Sequence, residues 1–219
     1  MILDRILAII APVNCLHCAK EGRWLCVDCM QNQLHRVAPQ CFKCQRPSAY
    51  YRTCRDCRQQ SVLWSVLPAS LYTGVIKQCI WQLKFGGAQA IAPTLAQALP
   101  SISIAQPIIV PVPTASSRRR QRSYDQAILL ARAVASQRHL PYADVLRRSG
   151  HSEQLGATRQ QRLAQLRSAY RCVDTRTIRG QHIVLVDDVM TTGATLESAA
   201  HVLLRAGASR VSAVVIAQA

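Results

Sequence analysis

Apolar positions along this chain fall into short runs of alternating character. Trp64 to Tyr72 alternates loosely and predicts a strand. From Gly74 the period turns helical: Val75, Ile76, Cys79, Ile80 and Leu83 share one face. That helix should stop at Lys84-Phe85-Gly86-Gly87, where paired glycines end the pattern. A second helical run covers Ala88 to Leu99, ahead of Pro100. Ile108 to Val112 reads as a buried strand, with Pro111 and Pro113 fixing its exit. The next helix should turn Ala127, Ile128, Ala131 and Val134 inward. Leu146-Arg147-Arg148 should end another strand. Ile183 to Val186 is short, apolar and rich in β-branched residues, which suits a buried strand ending at Asp187 and Asp188. Leu196, Ala199, Ala200, Leu203 and Leu204 then form a helical face, and Val211 to Ile216 supplies a closing strand.

Length and composition place this pattern in an ordered globular protein. The 219 residues are enough for one good core plus a small appended module, and 49% of them are hydrophobic. The start, Met1 to Pro12, is apolar but interrupted by Asp4 and Arg5. It is too short to span a bilayer and lacks a basic leader and a small-residue cleavage site, so an amphipathic first helix and a cytoplasmic location are expected. The formal charge of +16 is unevenly spread. Residues 1–60 carry +5, residues 61–109 carry +2, residues 110–179 carry +10 and residues 180–219 carry −1. A basic excess of that kind suits polyanions: a pyrophosphate group, a nucleic acid, or both.

Eight of the ten cysteines lie before residue 60 as four CxxC pairs: Cys15/Cys18, Cys26/Cys29, Cys41/Cys44 and Cys54/Cys57. A CxxC knuckle lets two thiolates reach one ion, and two knuckles complete a tetrahedral site. Eight ligands make two such sites. Zinc is the expected metal, with disulfides, redox pairs or an iron–sulfur cluster as alternatives. Sequential pairing of the knuckles is the simplest topology, and a crossed pairing remains open. Closed zinc centres of four cysteines are structural rather than catalytic. Cys79 reads as a core residue and Cys172 as an isolated structural one. The domain organisation expected is a helix and double zinc-ribbon module over 1–60 and an α/β domain over 61–219.

Chemistry concentrates in two places. The first is Ile183–Thr195, IVLVDDVMTTGAT. A strand, a small hydroxyl-rich turn and a helix N-terminus present free N–H groups and a positive dipole end, which hold phosphate. The carboxylates of Asp187 and Asp188 suit sugar hydroxyls or a hard cation such as Mg²⁺. The second is Arg118-Arg119-Arg120-Gln121-Arg122, where four arginines in five positions call for an anion or for water. If the preceding strand neighbours the Ile183 strand, this loop lies at the same carboxyl edge, where open α/β sheets bind ligands. Lys84, at a helix end beside a Gly-Gly turn, suits either an anion or solvent.

The Ile183–Thr195 run resembles the phosphoribosyl pyrophosphate (PRPP) signature of type I phosphoribosyltransferases. Four features extend that resemblance to the ComF/GntX family, associated with DNA uptake in natural competence. They are the cysteine-rich N-terminal module, L-K-F-G at Leu83–Gly86, V-P-V-P followed by spaced arginines, and the terminal PRPP motif. The resemblance implies a type I phosphoribosyltransferase-like fold: a mainly parallel twisted sheet with helices on both faces. It implies that Asp187 and Asp188 hold the ribose, that Thr191, Thr192, Gly193, Ala194 and Thr195 hold the 5′-phosphate, and that Arg118, Arg120 and Arg122 face the pyrophosphate with Mg²⁺. Residues His151 to Ala169, including Gln154, Arg159, Arg162 and Arg167, fall where that superfamily has a mobile hood. Two departures stand out. The usual R-G-F-N-Q is Arg122-Ser123-Tyr124-Asp125-Gln126, which adds a negative charge beside the anion loop. Purine-salvage relatives carry an acid where this chain has Thr191, so the acceptor is left open. The expected function is PRPP- and Mg-dependent phosphoribosyl transfer in DNA uptake. The alternative is an inactive PRPP-site protein that binds single-stranded DNA through Arg118, Arg119, Arg120, Arg122 and the zinc module, where Tyr50 and Tyr51 offer stacking. A competence-machinery protein is the further candidate partner.

Overall fold

The computed structural model describes residues 13–114, 123–148 and 169–219. The N-terminal helix, the arginines 118–122 and the hood stretch expected from sequence lie outside these residues.

A four-stranded parallel sheet forms the centre. Its strands are β1 (Val66–Leu71), β2 (Ile108–Pro111), β5 (His182–Met190) and β6 (Arg210–Gln218), in the order β1-β6-β5-β2. All three pairings are parallel, with Val66 opposite Ala213, Leu185 opposite Ala213 and Pro111 opposite Val186. Beyond β2 the chain at Pro141 to Ala143 continues the ladder: Ile109 N–H donates to the Pro141 carbonyl at 2.8 Å, and Ala143 N–H to the Ile109 carbonyl at 3.0 Å. A separate two-stranded antiparallel ribbon pairs β3 (Leu146–Arg148) with β4 (Tyr170–Cys172). That ribbon sets Arg148 opposite Tyr170, which brings the two ends of the expected hood stretch together.

Strand alternation explains why both faces of the sheet are covered. Successive side chains point to opposite faces, so a central parallel strand must be apolar throughout. Ile183 and Leu185 pack with Leu196, Ala199, Ala200 and Leu203 of helix α5 (Ala194–Arg205). Val184 and Val186 belong to the other cluster, with residues of α2 (Gly74–Phe85), α3 (Ala92–Ala98) and α4 (Gln126–Arg138). The α2 face is the one read from sequence: Val75, Ile76, Cys79, Ile80 and Leu83 are buried. Burial pushes the Cys79 thiol up to about 12, as a core cysteine requires.

Three details differ from the sequence expectation. β5 does not stop at the two acids but runs on to Met190, because β6 continues beside it to Gln218. In α4, Leu130 rather than Ile128 faces inward, completing an i, i+3, i+4 face with Ala127 and Ala131. The run from Ala88 begins as a 3-10 turn at Gln89–Ile91, and α3 proper starts only at Ala92. Pro93 in its first turn is the cause, since proline is tolerated there and not deeper.

The cysteine segment wraps around the open edge of β1 and touches both faces of the sheet. Its first half carries the short helix α1 (Val27–Asn32), and Cys15, Leu25, Cys26, Cys29 and Leu34 join the cluster of α2. The His35 carbonyl accepts from Leu71 N–H at 2.8 Å and from the Ser70 hydroxyl at 3.1 Å. Its second half sends Phe42, followed by Leu63, into the opposite cluster with α5. Exposed strand edges invite unwanted pairing, and this wrapping covers one.

Candidate phosphoribosyl and metal sites

The carboxyl edge of the sheet assembles the candidate site. β2 ends at Pro111, and Val112 N–H donates to the Val186 carbonyl at 3.0 Å. β5 outlasts it by several residues, so Asp187 and Asp188 stand at the edge beside the exit of β2. Neighbouring residues on a strand face opposite ways, and the two acids therefore have different surroundings. Asp188 is buried on the α2 side, where its Oδ1 lies 2.8 Å from Lys84 Nζ. Its Oδ2 is buried with no hydrogen-bond partner among the described residues. Asp187 is half-buried, and its Oδ1 accepts the Asp188 N–H at 2.8 Å. Burial, then the Asp188 charge beside it, holds the Asp187 carboxyl well above the usual carboxylate range, and Lys84 offsets part of this.

The turn after β5 is built around Gly193, which adopts a left-handed conformation with φ 78° immediately before α5. Thr191 and Thr192 are exposed, and the Thr192 hydroxyl accepts from Ala194 N–H at 3.4 Å. The Gly193 carbonyl takes the Glu197 N–H at 2.9 Å and closes the first turn of α5, whose leading N–H groups have no intrahelical partner. Gly193 itself is buried. A Cβ placed on it would sit 2.9 Å from Phe42 Cε2 and 3.6 Å from Met190 Sδ.

Asp125 takes a role that sequence alone did not show. It is buried at the N-cap of α4 and accepts the Ala127 N–H at 3.0 Å. It also accepts the Thr114 N–H at 3.0 Å and the Thr114 hydroxyl at 3.1 Å. Thr114 and Asp125 flank the arginine-dense stretch, so the carboxylate ties its two ends together. Its charge is spent on a helix N-terminus and a loop closure rather than set free beside the anion loop. Tyr124, next to it, donates its hydroxyl to the Leu83 carbonyl, linking this loop to the end of α2.

The eight CxxC cysteines gather into two groups of four, Cys15/Cys18/Cys26/Cys29 and Cys41/Cys44/Cys54/Cys57, with ligand atoms within 4.8 Å of one another. Knuckle pairing is therefore sequential rather than crossed. Cys18 and Cys26 sulfurs are 3.7 Å apart, and Cys44 and Cys54 sulfurs 3.6 Å. Tetrahedral Zn–S bonds of ~2.3 Å require sulfur separations of about 3.8 Å, so both donor sets fit such an ion. Arg46 pairs with Asp56 beside the second group.

Sequence reading brought Asp187, Asp188, the Thr191–Thr195 turn and the cysteines to these places. It left Lys84 between two roles and passed over Phe42 and Glu197. The available signal for Phe42 was an aromatic residue inside a CxxC knuckle.

The family model described as phosphoribosyl transferase domain matches residues 87–219, from just after α2 through β6. A parallel sheet with helices on both faces and an acid-acid, Thr-Thr-Gly edge turn defines a type I phosphoribosyltransferase fold. Competence protein ComFC of Bacillus subtilis (strain 168) is 29% identical over 203 residues, 86% of this chain and 81% of that protein. DNA utilization protein YhgH of Salmonella typhimurium (strain LT2) is 30% identical over 200 residues, 85% of this chain and 87% of that protein. The chain belongs to the ComF family. Among solved structures, glutamine PRPP amidotransferase from B. subtilis, complexed with ADP and GMP, is 18% identical with a TM-score of 0.44. That similarity covers 63% of this chain and 30% of the amidotransferase. Among the described residues, no helix is long and apolar enough to cross a membrane.

Proposed function

We propose that this protein acts in DNA uptake, binds PRPP at the carboxyl edge of its sheet, and transfers the phosphoribosyl group to a nitrogen acceptor in the cytoplasm. One observation carries the reading. Asp188 commits one oxygen to Lys84 and holds the other buried without a partner among the described residues, a short turn ahead of a helix N-terminus. An orphaned carboxylate oxygen in such a place suits a ribose hydroxyl. The Thr191–Thr195 turn then receives the 5′-phosphate on its N–H groups and hydroxyls. Arg118, Arg120 and Arg122, which lie outside the described residues, are the proposed partners of the pyrophosphate.

In the transfer, the bond from the anomeric carbon to pyrophosphate oxygen breaks with its electron pair leaving on pyrophosphate. A bond to the acceptor nitrogen forms in its place, and the proton that nitrogen carried passes to solvent. Asp187 and Asp188 stabilise the positive charge that develops on the sugar. Mg²⁺, bound with PRPP, supplies neutralisation of the leaving group's charge. The 1–60 segment acts as a zinc module, each group of four cysteines holding one structural ion, and residues 61–219 form the phosphoribosyltransferase domain.

The test is release of pyrophosphate from PRPP and Mg²⁺, screened across nucleobases and DNA. Release should occur in the parent chain and vanish in Asp187→Ala/Asp188→Ala. Silence with every acceptor, despite measurable PRPP binding, would leave a ligand-sensing site and sink the transfer step.

A second reading, single-stranded DNA binding, has its own supporting observation at the other edge of the sheet. Arg58 and Arg210 each stand 4.0 Å from the Trp64 ring centroid, and Arg52 lies 5.6 Å from it and 5.4 Å from Tyr50. None of these arginines pairs with a carboxylate among the described residues. Tyr50 is 67% exposed at the rim of a cavity of about 480 Å³ shared with Tyr51, Arg52 and Trp64. Guanidinium planes without a carboxylate, beside an exposed ring, suit phosphates and stacked bases. Affinity for an oligonucleotide should fall steeply with salt and weaken in Arg58→Ala/Arg210→Ala. A salt-insensitive affinity would count against it.

A further inference from the structure

The geometry points to the third cysteine knuckle, Cys41/Cys44, as a clamp on the phosphate turn, with Phe42 as the positioning residue. The inference rests on the PRPP-site reading and concerns what holds that site in shape.

Phe42 lies between Cys41 and Cys44, inside the knuckle that would grip the second ion. Its side chain leaves the knuckle and enters the cluster of Met190, Leu196 and Leu63 on the α5 face of the sheet. Only 8% of Phe42 remains exposed. The ring occupies the space where a side chain on Gly193 would begin, 2.9 Å and 3.3 Å from that position at Cε2 and Cδ2. Gly193 is also the residue whose left-handed φ of 78° turns the chain from β5 into α5. A glycine there can swing widely, and an aromatic edge filling the space beside it limits that freedom.

A second tie joins the same two parts. Val62 N–H, four residues beyond the module's last charged residue Arg58, donates to Glu197 Oε2 at 3.1 Å in the first turn of α5. The Glu197 N–H in turn closes on the Gly193 carbonyl. Lys43, also inside the knuckle, donates to the Gln60 carbonyl at 2.6 Å and holds the far end of the module against it. The phosphate turn is thus braced from outside the phosphoribosyltransferase sheet, by a segment that four thiolates on one ion would make rigid. The first group of cysteines lies elsewhere. Its Cys15, Cys26 and Cys29 pack with Ile76 and Cys79 on the opposite face.

Phe42→Ala, Phe42→Leu and Leu34→Ala in the full chain test this. Leu34 is buried to the same degree as Phe42 but in the other cluster, so it controls for general loosening. Hydrogen exchange of the Thr191–Glu197 amides, PRPP·Mg²⁺ affinity by calorimetry and metal content per chain are the readouts. Phe42→Ala should keep the parent's metal content, raise exchange across the turn and weaken PRPP about tenfold, equivalent to ~1.4 kcal/mol. Phe42→Leu should recover part of both, and Leu34→Ala should leave the turn's exchange unchanged. Unchanged exchange in Phe42→Ala, or an equal rise in Leu34→Ala, overturns the clamp. If the parent chain fails to bind PRPP, the site reading falls, while the exchange comparison still decides the clamp.

Discussion

Lys84 Nζ and Asp188 Oδ1 meet at 2.8 Å with both side chains largely shielded from water, joining the last turn of α2 to the carboxyl edge of β5. The pair fixes a helix end against the acid on which the proposed PRPP site depends. Removing one partner leaves a buried charge alone. Lys84→Met should cost roughly 2–4 kcal/mol in urea unfolding, less than a fully buried pair because Lys84 keeps some solvent. Lys84→Met/Asp188→Leu should recover most of that loss, and a double-mutant cycle measures the coupling. Strictly additive losses would show that the pair contributes nothing.

Asp187 carries the opposite lesson. Its carboxyl is held above the ordinary range by burial and by Asp188, so ionising it disfavours the folded state. The stabilising contribution is present at pH below the unfolded carboxyl value and is lost as pH rises through the folded one. At neutral pH, Asp187→Asn should therefore raise stability by about 1 kcal/mol while PRPP affinity collapses. A thermal melt and a binding titration on one sample test both halves, and a destabilised Asn variant contradicts the assignment.

Asp125 should matter to stability more than its loop position suggests. Asp125→Ala removes a helix cap and two bonds to Thr114, at a cost of about 2 kcal/mol. Asp125→Asn keeps a capping oxygen and should cost less than half as much. Equal losses in the two variants would mean that the carboxylate acts through charge alone.

His182 provides a pH signature away from the site. Burial, then the nearby Arg210, lowers it to about 4, and its Nε2 lies 3.0 Å from the Ser212 hydroxyl. Between about pH 6.5 and 4 the unfolded chain binds the proton and the folded chain does not. Stability should fall by on the order of 1–2 kcal/mol as pH drops through that window. His182→Gln should flatten this part of the profile. An unchanged slope in that variant would place the proton uptake elsewhere.

Metal content separates the two cysteine groups. The parent chain should carry two zinc ions by elemental analysis. Cys15→Ser and Cys54→Ser should each retain about one, since the groups share no ligand. A single ion in the parent would mean that one set of four thiols has another task.

Much of this architecture was legible in sequence because period reports burial. Val184 and Leu185 are apolar since a central parallel strand has no wet face, and α2 shows its buried stripe without interruption. The cysteine groups were legible because ligand spacing is local. Lys84 with Asp188 was not, since an ion pair between a helix end and a distant strand leaves no periodic trace. Phe42 was hidden for the same reason: its partner Gly193 is far along the chain, and only the fold brings them together. The run of β5 past its acids was missed because composition marks where apolar character ends, not where the neighbouring strand stops offering hydrogen bonds.

The pairing of β1 with β6 bears on how the chain is made. β1 has β6 as its ladder partner in the sheet, and β6 is the last strand. During synthesis β1 waits for this partner until the chain as far as Arg210–Gln218 has left the ribosome, whereas the cysteine knuckles are complete within short stretches of chain. Metal capture by these knuckles would thus precede closure of the sheet. The segment that covers the edge of β1 would then be formed while that edge still lacks its strand partner, so that metal-filled knuckles would guard the nascent polypeptide before they are part of the finished one.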